Sequence, residues 1–139
     1  MSTYYNTSND VLRARKAQTT ITASGAIGAN QAGEELNVAT DALVITLPKI
    51  ESSLIGMEYT IRNTGADANN IVTISPNAAD GISGSIALAA SVFSASGVVN
   101  KDLVNTKATA ISGDFVTLKA VSLTKWFITA GIGIWASEA

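Results

Sequence analysis

The chain contains no cysteine and no histidine. Without cysteine there is no disulfide framework, no thiolate nucleophile and no Cys-based zinc site. Without histidine the commonest general base and metal ligand are missing, and with them any Ser-His-Asp arrangement. Charge is scarce as well: nine Lys and Arg stand against eleven Asp and Glu, a formal net charge of −2. So few cations cannot displace counterions along a phosphate backbone, which argues against a nucleic-acid partner. The acidic residues are scattered rather than clustered, so neither a metal nor another cofactor is expected. The longest weakly polar run, Ile86 to Val99, is too short and too rich in serine to span a bilayer. The opening residues, Met1 to Asp10, have neither the basic nor the apolar region of a signal peptide. No membrane partner is expected, and synthesis in the cytoplasm is.

What is present points to a packed domain. Apolar residues make up 47% of 139 residues and net charge is low, the opposite of a disordered composition. A single domain of this length buries enough surface for one core without staples. With charge so sparse, solubility rests on Ser, Thr, Asn and small residues, as in compact β proteins and in proteins that hide surface in an assembly.

Residues 1–18 differ from the rest and read as an N-terminal arm, with residues 19–139 as one β domain. The arm is polar, then basic, with Arg13, Arg15 and Lys16 within four positions. Asn9 or Asp10 could cap a short helix through Val11, Leu12 and Ala14, but two or three turns would be marginal alone. Tyr4, Tyr5, Val11, Leu12, Arg13, Arg15 and Lys16 form the candidate docking set, because buried Tyr and Arg carry interface energy.

From Thr19 the grammar is β. Thr19–Ala23, Leu36–Thr40, Ala42–Leu47 (stopped by Pro48) and Ile71–Ser75 (stopped by Pro76) read as strands. Gly56–Arg62 alternates most cleanly, with Met57, Tyr59 and Ile61 on one face and Glu58, Thr60 and Arg62 on the other. Ser24–Glu34 reads as a Gly-rich loop, and Ile86–Phe93 as extended despite its alanines. Val104–Ala110, Asp114–Val121, Lys125–Ala130 and Ile132–Trp135 complete eight to ten short strands. Such spacing indicates an all-β antiparallel sandwich or small barrel of jelly-roll or tulip-like kind.

The chemical motifs have plainer explanations. Ser122-Leu-Thr-Lys125 fits the S-x-x-K of penicillin-recognising enzymes but lies between strands without the companion motifs, so a turn is expected. Asp67-Ala-Asn-Asn70 lacks the glycine and glutamate of a calcium loop and reads as turn chemistry. Glu34 and Glu35 are adjacent acids in a loop without a cleft. Glu58 and Arg62 suggest a surface ion pair. Trp126 suits the core, whereas Trp135 is a candidate for a subunit interface. No catalytic residues emerge, and the protein is not expected to be an enzyme.

Three stretches taken together resemble small β-rich virion proteins of tailed bacteriophages. They are Leu43-Val-Ile-Thr-Leu-Pro48 with Gly56-Met-Glu-Tyr-Thr-Ile-Arg-Asn-Thr-Gly65; Asn70-Ile-Val-Thr-Ile-Ser-Pro-Asn-Ala-Ala-Asp-Gly-Ile82; and Asn105 to Leu118, closed by the Trp-rich segment Lys125 to Trp135. The likeness runs from Ala42 to Trp135 and passes over Ile86–Val99, where it finds nothing. It implies a capsid decoration (cement) or head-fibre protein on the outside of the virion, bound to the major capsid protein and commonly a homotrimer. The competing reading is a receptor- or glycan-binding tip module of a tail fibre or spike.

Overall fold

A computed structural model describes residues 16–88 and 92–138. They form twelve strands: β1 (Gln18–Ile21), β2 (Gly25–Ala26), β3 (Glu35–Val38), β4 (Leu43–Thr46), β5 (Glu58–Asn63), β6 (Val72–Ser75), β7 (Gly81–Ala87), β8 (Val92–Val99), β9 (Leu103–Asn105), β10 (Phe115–Ser122), β11 (Lys125–Ile132) and β12 (Trp135–Ser137). Short 3₁₀ turns at Ala29–Gln31, Ser52–Leu54 and Lys107–Thr109 are the helical elements among the described residues. No helix there is long and apolar enough to cross a membrane.

The strands make two sheets packed as a sandwich, with no closed barrel. The larger has seven strands in the order β1-β3-β5-β10-β11-β7-β8, the smaller five in the order β12-β9-β6-β4-β2. Period-two alternation builds the layer between them. Leu43 and Ile45 of β4 and Val72 and Ile74 of β6 face in from one side, Leu36, Val38, Tyr59, Ile61, Val116 and Leu118 from the other. At the centre Trp126 is fully buried, with its ring edge-on to Tyr59 at 5.6 Å between centroids.

The expected all-β sandwich is therefore present, but the sheets are mixed rather than antiparallel. From β1 to β6 the chain crosses between sheets at every strand, so β1, β3 and β5 lie parallel in one sheet and β2, β4 and β6 parallel in the other. A hairpin needs two successive strands in one sheet, and this half of the molecule has none. The hairpins come later: β7–β8, and β10–β11 around the turn Ser122–Lys125. That turn is the S-x-x-K tetrapeptide, and Ser122 and Lys125 are paired across it. The Trp-rich C-terminal segment is not a hairpin, because β11 ends in the larger sheet and β12 crosses to pair with β9.

Gln18 opens β1 opposite Glu35, and the Ala17 carbonyl accepts a hydrogen bond from the Glu35 amide at 2.9 Å. The Val104–Ala110 stretch is a strand only as far as Asn105, after which it turns.

Candidate binding surface

The outer face of the larger sheet is where the N-terminal segment joins the fold. Tyr59 and Ile61 point inward, so Thr60 and Arg62 between and beyond them point outward. Lys16 is exposed, and its Nζ donates to Thr60 Oγ1 at 3.2 Å, reaching across β3. Thr60 Oγ1 in turn lies 2.9 Å from Thr117 Oγ1 on β10. Beside this row Arg62 Nε donates to Glu35 Oε1 at 2.7 Å, its guanidinium covers the Phe115 ring at 4.6 Å, and Nη1 donates to the Gly113 carbonyl. Gln18 bridges Glu35 and Asn37. These side chains lace four neighbouring strands together on a face that is polar in character.

The expected Glu58–Arg62 pair does not form. Four residues along an extended strand separate two side chains by about 13 Å, too far for contact. Arg62 instead takes Glu35 from the neighbouring strand β3, a diagonal partner within reach.

Of the sequence-derived docking set, Lys16 alone falls among the described residues; Tyr4, Tyr5, Val11, Leu12, Arg13 and Arg15, and the helix suggested near Asn9 and Asp10, lie outside them. Trp135, the candidate for a subunit interface, is 2% exposed, sits in the core of the chain, and donates Nε1–H to the Ile132 carbonyl at 3.0 Å.

Several other polar side chains fasten the fold internally. The Asn69 amide donates to the Ala66 carbonyl at 3.2 Å, so Asp67–Asn69 is a turn, and Asp67 Oδ1 ties it to the Ser112 amide. Asp41 receives the Ile71 amide and pairs with Lys107; those contacts hold its carboxyl below the ordinary carboxylate range, the Lys107 bond being the larger cause. Burial pushes the Tyr59 hydroxyl up, and it donates to the Gly28 carbonyl at 3.0 Å. Glu34 accepts from Thr19, while Glu35 accepts from Gln18 and Arg62, so both adjacent acids reach β1 and Glu35 also ties β5. Among the described residues no three His, Cys, Asp or Glu side chains gather where a cation could sit.

A groove of about 160 Å³ opens between β8 and the ends of β9 and β12. Ile82, Ala95, Val98, Leu103, Asp102 and Glu138 are among the residues that line it. Small-molecule sites begin near about 300 Å³, so this groove suits a side chain better than a ligand.

Sequence signals for the Thr60–Thr117 and Arg62–Phe115 contacts were absent, because strand pairing across the sheet brings residues together from distant positions. Only the outward phase of Thr60 and Arg62 was readable. No protein-family model matches the chain, and no curated protein compared with it is similar.

Proposed function

We propose that this chain is a non-enzymatic virion structural protein that decorates and stabilises a tailed-phage capsid by binding the outer surface of its major capsid protein shell. What supports this reading is a contrast: polar side chains of the β body brace its own strands, while the preceding sequence, which carries Arg13, Arg15 and two tyrosines, meets that body at Lys16 beside a polar sheet face. Decoration requires no chemistry. It requires a body that stays folded on an exposed particle and a contact that repeats over many identical sites, where linked weak contacts add up. A basic segment on an acidic-leaning body suits docking across an acidic shell. The virion resemblance runs through β4, β5, β6, β10 and β11, which supply much of the core, and of which β5 and β10 also carry part of this face; with it comes a homotrimer on the shell.

The test is binding to undecorated capsids. Removing residues 1–15 leaves Lys16 and β1 in place and should preserve the thermal melt, while affinity falls by about tenfold or more, the loss of an interface anchor. Arg13→Ala with Arg15→Ala should weaken binding and flatten its salt dependence, since exposed charge contacts are screened. Equal decoration by the shortened chain would move the docking surface onto the β body. Knobs on the tail rather than the head in negative stain would replace capsid decoration with the fibre-tip reading.

A further inference from the structure

Among the described residues, the strands at the four sheet edges are unequal. β1 presents four residues, β2 two and β12 three. β8 presents eight, as many as β10 and β11 in the interior of the same sheet. A long strand edge displays unpaired N–H and C=O groups, and proteins normally blunt it with charge, proline or a bulge. β8 reads Val-Phe-Ser-Ala-Ser-Gly-Val-Val and holds neither charge nor proline. Its one device is a bulge at Gly97, whose φ of 74° lies in the left-handed region and where the register with β7 slips between Ser83 and Gly81. The bulge bends the end of the strand and leaves Val92 to Ser96 regular. Val92 is 62% exposed, the most exposed large apolar side chain among the described residues.

We propose that this edge pairs with a second copy of the chain, β8 against β8, antiparallel about a twofold axis centred on Ser94. A strand can lie against its own copy only if the two do not repel, and this one is free of charge. The register is also sterically self-complementary. Phe93 meets Ala95 of the partner subunit on the inner face, large against small. Ser94 meets its own counterpart on the outer face, and Val92 meets Ser96 of the partner subunit. Serines already pair in this way within the chain: Ser83 faces Ser96, and Ser85 and Ser94 hydroxyls lie 3.3 Å apart. The second copy extends that ladder by two strands.

Five paired residues span about 17 Å, and such a contact falls short of the roughly 1,200 Å² of a stable interface. The pairing is therefore weak in solution and strengthens when copies are held side by side on a surface. Being isologous, it joins copies two by two; on a trimeric unit it links one unit to the next. It is independent of what the N-terminal segment binds.

The absence of cysteine makes the test direct. Ser94→Cys places a lone thiol on the twofold axis, where directly opposed Cα atoms come within disulfide range. Under mild oxidation the full chain carrying Ser94→Cys should form a covalent dimer, while Thr20→Cys on the exposed face of β1 should stay largely monomeric. In sedimentation velocity the unmodified chain should shift toward dimer between about 10 and 500 μM, the range of small interfaces. Ser94→Lys with Ser96→Lys should abolish that shift with the melt preserved. Equal cross-linking by both cysteine variants, or an unchanged monomer across that range, overturns the proposal.

Discussion

Asn105 shows how single polar residues tie the two layers together. Its Oδ1 accepts from Asn63 Nδ2 at 2.8 Å, and its Nδ2 donates to Asp114 Oδ2 and to the Ile134 carbonyl, each at 3.1 Å. Asn105 lies in β9 of the smaller sheet and Asn63 in β5 of the larger, so the bond crosses the sandwich at one end. Asn63 further holds the Gly65 amide and the Asn70 carbonyl, and Asp114 holds the Ile111 amide. Gly133 completes the corner, since a Cβ there would collide with the Asp114 carboxylate. All three polar side chains are buried, and removing one strands the groups that it served. Asn105→Ala should therefore cost about 2–4 kcal/mol in urea unfolding, several times the effect of an exposed change such as Val44→Ala. A loss no larger than that of the exposed control would mean that the bridge contributes little. Nothing in the sequence marked this cluster. Asn and Asp at strand ends read as turn formers, and turn chemistry and buried bracing use the same residue types.

At the scale of elements, the coil from β1 to β6 depends on tight corners before its parallel strands. Gly33 and Gly56 each stand two residues ahead of a strand, β3 and β5, with φ of 82° and 92°. At both, the space that a Cβ would take is empty to 4 Å, so a side chain would find room but not an allowed backbone. Gly56→Ala should destabilise by about 1–2 kcal/mol through conformation alone, whereas Gly25→Ala, equally open and without a positive φ, should be close to neutral. Equal effects at the two sites would place the cost elsewhere. Strand positions were largely legible in the sequence: Tyr59 and Ile61 face the core as their alternation requires, and Pro48 and Pro76 follow β4 and β6. Strand partners were not. A period of two states which side of a strand is apolar, and it is silent on which of two sheets the strand enters or in which direction its neighbour runs. The two-residue β2 lay hidden in the Gly-rich loop for the same reason, being too short to show any period.

For the whole molecule, the coiled first half and the hairpin-rich second half do not form separable units. β10 from the second half sits between β5 and β11, and β9 sits between β6 and β12. Both sheets therefore cross the divide through hydrogen-bonded neighbours, and one core cluster draws residues from both halves. The Asn63–Asn105–Asp114 bridge fastens the same divide from the side. Losing the first half would expose the edge of β10 and the apolar faces of Leu118 and Trp126, and losing the second would strip β5 and β6 of their partners. One continuous core cluster spans both halves, so unfolding should be all-or-none, as for most domains of this size. Both tryptophans, Trp126 and Trp135, lie in the second half, which gives a local probe. Tryptophan fluorescence reports that half, while far-ultraviolet circular dichroism reports strands from both. In urea the two transitions should coincide, with the same midpoint and slope. A fluorescence change that runs ahead of the loss of strand signal would reveal a coil of β1 to β6 able to stand alone, and the shared sheets would then be a docking of two parts rather than one fold.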